Sequence, residues 1–170
     1  MIFIPNRYDK AIYEDVPKDI REFLENDDNN PSVYIQGVVG TGKTHVAYAL
    51  AKKHYEINKY TQFWNVTELL FEIKRDFNRE ENLKKTDNLL SFSGLLFLDD
   101  IGAEKPTEFV AETLYMIINN RYNNTWPTIF TSNLSLAELA ERIGDRSASR
   151  IAEMCQVFTL TGKDRRLNKI

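Results

Sequence analysis

The chain has 170 residues and a formal net charge of −3; 42% of the residues are hydrophobic and 28% are charged. This length and balance are typical of one globular domain with a single core. The small negative charge argues against a protein that coats nucleic acid by bulk charge, so any DNA contact needs a local patch or several subunits combined. Cys155 is the only cysteine, which excludes an internal disulfide and a cysteine-based metal site.

The chain shows no signal for membrane insertion or export. No stretch of the sequence approaches the length of a membrane span, and the N-terminus lacks the pattern of a signal peptide. We therefore expect a soluble, cytoplasmic protein with no membrane partner. The two histidines, His45 and His54, fall on one predicted helix without a metal-ligand partner nearby, and we interpret both as structural.

Helices and strands are predicted to alternate along the chain. In the first half they are a short helix near Lys18–Glu25, a strand Ser32–Gln36, a helix Thr44–Ile57, a strand Gln62–Val66, a helix capped by Thr67 and a helical segment ending at Leu89 and Leu90. In the second half they are a strand Leu95–Leu98, a helix from Pro106 to about Tyr122, a strand Pro127–Thr131, a helix Leu136–Ile143 capped by Ser135, a helix from about Ser147 and a strand Val157–Leu160. The predicted buried face of the helix that Pro106 starts consists of Phe109, Thr113, Met116 and Ile117. This alternation predicts a parallel sheet covered on both faces, with ligands at the carboxyl ends of its strands.

Residues 37–44 read G-V-V-G-T-G-K-T and fit the phosphate-binding pattern G-x-x-x-x-G-K-[ST] without a mismatch. The glycines let the main chain approach the phosphates, and the N–H groups at the start of the next helix form an anion nest. Lys43 would reach the β- and γ-phosphates, and the Thr44 hydroxyl would ligate Mg²⁺. The predicted nucleotide-binding residues are Gly37, Val38, Val39, Gly40, Thr41, Gly42, Lys43, Thr44 and His45. A site for ATP or ADP with Mg²⁺ follows from this pattern.

A second motif supplies acidic side chains. Four apolar residues, Leu95–Leu98, lead directly into Asp99 and Asp100, which is the form of a Walker B element. Asp99 would hold Mg²⁺, mostly through water, and Asp100 would orient and polarise the attacking water. Asn133 follows the next predicted strand and could hydrogen-bond the γ-phosphate or that water; the alternative for Asn133 is a role in the turn that follows.

Two arginines complete the set of candidate catalytic residues. Arg146 and Arg150 lie in G-D-R-S-A-S-R-I, four residues apart and therefore on one helical face. An arginine supplied to a neighbouring subunit's γ-phosphate would stabilise charge in the transition state. The alternative is a pair of solvated arginines on a surface helix. Arg165 and Arg166 could form a further phosphate contact or a basic tail, and we favour the tail.

With these motifs in place, the sequence resembles the AAA+ ATPases of the DnaC/DnaI helicase-loader and IstB-like group, relatives of the DnaA initiator. The phosphate loop is shared by many unrelated NTPases, whereas D-D-I-G-A-E, T-S-N-L-S and the R-x-x-x-R-I segment are more selective. The resemblance runs along nearly the whole chain. It implies an α/β P-loop core of three layers, with a five-stranded parallel sheet in the order 5-1-4-3-2 and no helical lid domain.

The resemblance also implies roles and an assembly. Asn133 becomes the sensor-1 residue, Arg150 the best candidate for an arginine finger, and Arg146 the second. Subunits would associate head to tail with ATP between them. Asp100 stands where glutamate is commoner, and its shorter reach would suit slow, assembly-dependent hydrolysis, as in a switch more than a motor.

We expect one AAA+ domain over residues 1–170, with three parts. Residues 1–31 form an adenine-side segment with a short helix, residues 32–160 the P-loop core, and residues 161–170 a basic tail. Helicase loaders usually carry a further N-terminal domain that grips the replicative helicase. In this chain that unit is absent, is supplied otherwise, or has been removed by excision of the ATPase domain.

The resemblance implies weak binding of single-stranded DNA through the region after the second strand. That region holds the basic residues Lys74, Arg75, Arg79, Lys84 and Lys85, with the aromatic residues Phe71 and Phe77 nearby. Basic side chains would contact phosphates and aromatic rings would stack on bases. The region also contains Asp76, Glu80, Glu81 and Asp87. A solvated surface of mixed charge is therefore the alternative.

Three functions are compatible with these motifs. The leading hypothesis is an ATP-hydrolysing helicase loader in DNA replication, partnered by a DnaB-like replicative helicase and single-stranded DNA. The second is an IstB-like helper ATPase that acts with a transposase. The third is a regulatory module that binds nucleotide without significant turnover.

Overall fold

A computed structural model of the chain describes residues 3–26, 31–58, 60–77 and 84–162. The strands are β1 (Ser32–Gln36), β2 (Thr61–Asn65), β3 (Leu95–Asp99), β4 (Thr128–Ser132) and β5 (Cys155–Thr159). The α-helices are α1 (Lys18–Asn26), α2 (Lys43–Asn58), α3 (Val66–Phe77), α4 (Lys84–Leu90), α5 (Glu108–Asn123), α6 (Leu136–Ile143) and α7 (Asp145–Met154). Two short 3₁₀ turns, Asn6–Tyr8 and Tyr13–Asp15, precede α1.

All five strands are parallel and lie in the order β2-β3-β4-β1-β5, which confirms the predicted order 5-1-4-3-2. Ile35 of β1 is in register with Thr131 of β4 and Phe158 of β5. Leu98 of β3 is in register with Phe130 of β4. Because β1, β3 and β4 are neighbours, the segments that follow them meet at one edge of the sheet.

Side chains alternate between the two faces of the sheet, since successive residues of a strand point in opposite directions. One face packs on α3, α5, α6 and α7 through buried residues that include Tyr34, Leu96, Leu98, Phe130 and Ile117. The other face packs on α2 and the N-terminal segment through buried residues that include Val33, Ile35, Phe97, Ala47 and Ile20. Two cores on one sheet make the three-layer α/β/α arrangement that the alternation of elements predicts.

Two predicted helix starts are wrong, and in both cases a side chain acts as the cap. Asn65 caps α3, because its Oδ1 accepts hydrogen bonds from the N–H groups of Thr67 (3.1 Å) and Glu68 (3.3 Å). Thr107, not Pro106, directly precedes α5, and its hydroxyl accepts the N–H of Val110 at 3.3 Å. A capping side chain satisfies backbone donors that the first helical turn leaves unpaired.

Other boundaries agree to within one or two residues of the prediction. Helix α6 has the predicted bounds, and Ser135 caps it in a reciprocal pair with Glu138. Helix α7 begins at Asp145, ahead of the predicted Ser147. On the predicted buried face of α5, Thr113 and Ile117 are buried, whereas Phe109 and Met116 are only half-buried.

Arg121 of α5 is buried, which the sequence pattern does not predict. Its guanidinium donates to Thr128 Oγ1 and to the carbonyl oxygens of Phe92 (2.8 Å), Gly94 (2.7 Å) and Pro127 (2.7 Å). Burial lowers its pKa to about 10. These acceptors precede or begin β3 and β4, so Arg121 ties the two strands together at the end opposite the phosphate loop.

Candidate nucleotide-binding site

The phosphate loop connects β1 to α2 in a conformation that needs glycine. Gly40 and Gly42 have φ of +86° and +99°, values that side chains with a Cβ rarely adopt. At Gly37, a Cβ would collide with the carbonyl oxygen of Leu160, just after β5. The Thr41 hydroxyl donates to the Val38 carbonyl at 2.9 Å and closes the loop on itself. The loop is therefore shaped by its own sequence and by its neighbour β5.

Lys43 is the first residue of α2 and its side chain is buried, 6% exposed. Its ammonium group donates to the carbonyl oxygens of Gly37 (2.6 Å) and Val38 (3.0 Å). The helix N-terminus and this ammonium together concentrate positive charge inside the loop. That is the electrostatic environment that a polyphosphate requires.

Asp99 ends β3 beside the start of α2, where two hydroxyl groups contact it. Thr44 Oγ1 donates to its Oδ2 at 3.2 Å, and Thr131 Oγ1 donates to its Oδ1 at 2.6 Å. Burial raises the pKa of Asp99, and the two hydrogen bonds oppose that shift. Thr44 and Asp99 thus offer adjacent oxygen atoms, the ligand type that Mg²⁺ prefers together with water and phosphate oxygens. The residues present fit a magnesium ion.

Asp100 adopts a left-handed backbone conformation, with φ of +62°. Its N–H donates to Thr131 Oγ1 at 2.9 Å, and its Oδ1 accepts a hydrogen bond from Asn133 Nδ2 at 2.9 Å. Aspartate and asparagine are the non-glycine side chains that adopt this region most readily, as single residues with local hydrogen bonds. Asp100 is therefore fixed by the backbone and by Asn133 from the neighbouring strand end.

A cavity of about 540 Å³ lies at this edge of the sheet. Its lining comprises Arg7, Tyr8 and Lys10 from the N-terminal segment, Val39, Gly40, Gly42, Lys43, Thr44 and His45 from the loop and α2, and Asp100 and Asn133 from the strand ends. Six of the nine predicted nucleotide-binding residues line it; Gly37, Val38 and Thr41 shape the loop behind it. Arg7 and Lys10 were missed as candidates, and the only sequence signal for them is the R-Y-D-K run around Tyr8.

The N-terminal segment is fastened to α2 beside the cavity. His45 Nε2 lies 2.7 Å from Asp15 Oδ2, so the histidine joins the first turn of α2 to the segment. Tyr8 stacks on Tyr48 with ring centroids 4.5 Å apart, and Tyr48 stacks on Phe63 at 4.0 Å. The placement of this segment beside adenine stays a prediction.

Arg146 and Arg150 lie on α7, outside the cavity of their own chain. Arg150 Nη1 donates to the Arg146 carbonyl oxygen at 3.2 Å. The Arg150 guanidinium carbon lies 5.0 Å from the ring centroid of Tyr115 and 5.6 Å from that of Tyr122, both on α5. The arginine-finger role of either residue stays a prediction.

The predicted DNA-contacting region is described in part. Phe71 of α3 is 66% exposed, which suits base stacking. Lys74 lies over the Phe109 ring at 5.9 Å, and Arg75 forms an ion pair with Glu72 at 2.6 Å, so each already has a partner within the chain. The side chains of Phe77, Lys84 and Lys85, together with Arg79, Arg165 and Arg166, lie outside what the structure describes. DNA binding by this region stays a prediction.

Two curated relatives and one solved structure show what the chain is similar to. The replicative helicase loader DnaI of Bacillus subtilis (strain 168) is 29% identical over 130 residues, covering 76% of this chain and 41% of DnaI. The putative ATP-binding protein of insertion sequence IS21 from Pseudomonas aeruginosa is 30% identical over 123 residues, covering 72% of this chain and 44% of that protein. The chain therefore spans less than half the length of these two relatives. The crystal structure of the DnaC helicase loader matches with a TM-score of 0.81 at 30% identity, covering 92% of this chain and 100% of that one.

The family to which the chain belongs follows from a match over most of its length. The model of the IstB-like ATP binding proteins covers residues 18–169, from α1 through the phosphate loop and all five strands. The resemblance to AAA+ ATPases of the DnaC/DnaI and IstB-like group is thereby confirmed. This chain is an ATP-binding AAA+ protein, and it belongs to the IstB-like ATP binding protein family.

Proposed function

We propose that the chain hydrolyses ATP slowly, within a head-to-tail assembly, as a helicase loader of the DnaC/DnaI kind. The observation that carries this proposal is the meeting of three groups at one edge of the sheet. These are the Lys43 ammonium in the loop, the Thr44–Asp99 oxygen pair, and Asp100 held by Asn133. Nucleotide binding alone needs only the first group, whereas the other two suit a metal and a water molecule.

Each of these residues has a distinct task in the proposed reaction. Lys43 would neutralise charge on the β- and γ-phosphates, and Thr44 and Asp99 would hold Mg²⁺. That ion, when bound, withdraws charge from the phosphate oxygens. Asp100 would hold the attacking water by accepting its hydrogen bond. Asn133 keeps the Asp100 carboxylate in one orientation, so little reorganisation is needed.

The proposed site is completed by a second copy of the chain. Neither Arg146 nor Arg150 lines the cavity of its own chain, so a phosphate contact by either requires a neighbour. An arginine finger supplied in trans can raise turnover by about 10³ to 10⁵. Slow hydrolysis by the isolated chain and faster hydrolysis in an assembly follow from this arrangement.

The partners are proposed from the relatives. DnaI is a replicative helicase loader, and we assign a DnaB-like helicase and, weakly, single-stranded DNA to this chain. The exposed Phe71 on α3 supports the DNA contact. The IS21 relative, at 30% identity, favours a second candidate, a transposition helper with the same ATPase core. A regulatory module without turnover is the third.

ATP turnover tests the enzymatic part of the proposal. Phosphate release is measured for the wild type and for Lys43→Ala, alone and with single-stranded DNA and the cognate replicative helicase. We expect slow turnover that rises in the assembly and is absent from Lys43→Ala. Turnover that stays at the Lys43→Ala background under every condition would leave the regulatory module as the function.

The partner is tested by retention of purified proteins. The tagged chain is mixed with the cognate replicative helicase, or with the transposase of a related insertion element, with and without ATP. ATP-dependent retention of the helicase supports the loader. Retention of the transposase alone overturns it in favour of the transposition helper.

Mixing of variants tests the shared site. Arg150→Ala lacks the finger and Asp100→Asn lacks the water-orienting carboxylate, so a mixture contains some composite sites with both groups intact. We expect the mixture to recover turnover that neither variant shows alone. A mixture as inactive as its components would exclude action of Arg150 in trans.

A further inference from the structure

Arg150 is held by two aromatic rings of another helix. Tyr115 and Tyr122 are seven residues apart on α5, about two helical turns, and therefore share one face of that helix. The Arg150 guanidinium carbon lies 5.0 Å and 5.6 Å from the two ring centroids, within the distance of about 6 Å over which a cation is attracted to a ring face. A third contact, from Nη1 to the Arg146 carbonyl oxygen, sets the orientation of the group.

Arg150 has fewer polar contacts than two other arginines, which stabilise the fold through an ion pair or buried hydrogen bonds. Arg75 forms an ion pair with Glu72, and Arg121 donates to four acceptors in the interior. Within the described part of the chain, Arg150 forms no ion pair, and Arg146 supplies its only hydrogen-bond acceptor. The rings restrict the side chain without neutralising it. A restrained cation that forms no ion pair within the described part of the chain is what an incoming phosphate requires.

Tyr122 also stays uncharged next to the arginine. A tyrosine hydroxyl is protonated at neutral pH, and the hydrogen bond with Glu153 raises the pKa of Tyr122 further above its ordinary value. Arginine side chains lose rotamer entropy when they are fixed. A guanidinium already fixed by the rings does not incur that cost again when it meets its ligand.

We propose that Tyr115 and Tyr122 are positioning residues that hold the Arg150 guanidinium ready for the γ-phosphate of ATP bound by the next copy of the chain. This inference rests on the proposed function, because it requires Arg150 to act in trans. Helix α7 packs on α5, which keeps the two rings and the arginine together on the surface that would face the neighbour.

The test compares two double variants in the ATP-dependent assembly. Tyr115→Leu with Tyr122→Leu removes both rings and keeps apolar bulk, whereas Tyr115→Phe with Tyr122→Phe keeps both rings. We expect the leucine pair to bind a fluorescent ATP analogue like the wild type but to lose about tenfold or more of its turnover, as a misplaced catalytic group does. The phenylalanine pair should retain most of the turnover.

Mixing separates positioning from a purely structural effect. The leucine pair keeps an intact phosphate loop and Asp100, so mixing it with Asp100→Asn should recover turnover. Mixing it with Arg150→Ala should not, because no correctly held finger is then present. Loss of fold stability would give no such dependence on the partner.

Three results would overturn the inference. The first is wild-type turnover by the leucine pair, and the second is a phenylalanine pair as inactive as the leucine pair. The third is a mixture of the leucine pair with Asp100→Asn that recovers no turnover, although a mixture of Arg150→Ala with Asp100→Asn does. In that case Arg150 still acts in trans, and only the role of the two rings is contradicted. If Arg150→Ala also fails to recover with Asp100→Asn, both proposals fall together.

Discussion

The Thr131 hydroxyl donates a hydrogen bond to Asp99 at 2.6 Å, from β4 to the neighbouring β3. The same oxygen accepts the N–H of Asp100 at 2.9 Å. One side chain on β4 therefore positions both consecutive acids at the end of β3. Groups that orient metal ligands in this way usually contribute to metal affinity although they do not touch the metal.

Thr131→Val should weaken the magnesium dependence of ATP binding. Valine keeps the volume but removes the hydroxyl, so Asp99 and the Asp100 amide each lose a partner. The quantity of interest is the ratio of the ATP affinity with Mg²⁺ to the ATP affinity in EDTA. We expect the substitution to lower this ratio by about tenfold and to leave the affinity in EDTA nearly unchanged. Titration of a fluorescent ATP analogue with and without Mg²⁺ measures both quantities.

Thr128→Val is the matched control for that substitution. Thr128 is a buried threonine at the opposite end of the same strand, where it contacts Arg121. Its replacement should lower thermal stability without changing the effect of Mg²⁺. Equal loss of the Mg²⁺ effect in the two variants would contradict the role assigned to Thr131.

Asp100→Asn should separate binding from hydrolysis. Asparagine tolerates the left-handed backbone conformation that Asp100 adopts, so the loop should keep its shape. Loss of the carboxylate should lower single-turnover hydrolysis by about 10² or more, while ATP binding stays at the wild-type level. Hydrolysis at the wild-type rate would show that Asp100 does not orient the water.

Gly37→Ala should distort the phosphate loop. The added Cβ would collide with the backbone oxygen of Leu160, and the carbonyl of residue 37 also holds the Lys43 ammonium. We expect both thermal stability and ATP affinity to fall, the affinity by about tenfold or more. Calorimetric titration with ATP and a thermal melt measure the two effects.

Gly144→Ala provides the control for backbone strain alone. Gly144 has φ of +92°, but nothing lies within 4 Å of a Cβ placed there. Alanine in this glycine-only backbone region should cost about 1–3 kcal/mol of stability, and ATP binding should stay unchanged. If Gly37→Ala behaves like Gly144→Ala, the contact with Leu160 does not shape the site.

Two glutamates should respond to pH with opposite signs. Burial raises the pKa of Glu104, whose Oε2 is buried without a hydrogen-bond partner, from its ordinary value of 4.5. Hydrogen bonds from Ser135 lower the pKa of Glu138 below the same value. Compared with the unfolded chain, the folded state therefore disfavours the ionised form of Glu104 and favours the ionised form of Glu138. Ionisation above pH 4.5 thus lowers the folding stability through Glu104 and raises it through Glu138.

We accordingly expect Glu104→Gln to raise the melting temperature at about pH 8 and Glu138→Gln to lower it. The gain from Glu104→Gln should shrink as the pH falls through the raised pKa towards 4.5, because the wild-type carboxyl is then neutral. The loss from Glu138→Gln should persist until the pH falls below 4.5, through the lowered pKa. Thermal melts of the wild type and both variants across this pH range measure these changes. If both substitutions changed the melting temperature in the same direction at pH 8, the opposite pKa shifts of Glu104 and Glu138 would be contradicted.

Much of the fold could be predicted because its signals are local. The apolar run Leu95–Leu98 and the helix Leu136–Ile143 with its Ser135 cap are set by residues a few positions apart. The cap of α3 was predicted wrongly because Thr67 and Asn65 are both good capping residues. Only the observed backbone shows that the Asn65 side chain reaches two N–H groups.

The sequence by itself determined that the chain binds a nucleoside triphosphate, since loop glycines, a lysine and a helix start are contiguous and act through the backbone. It also placed Asp99, Asp100 and Asn133 at strand ends. Tertiary structure alone decided that Thr131 holds both acids, that Arg121 is buried, and that Tyr115 and Tyr122 flank Arg150. These contacts join residues on different strands and helices, and only packing brings such residues together.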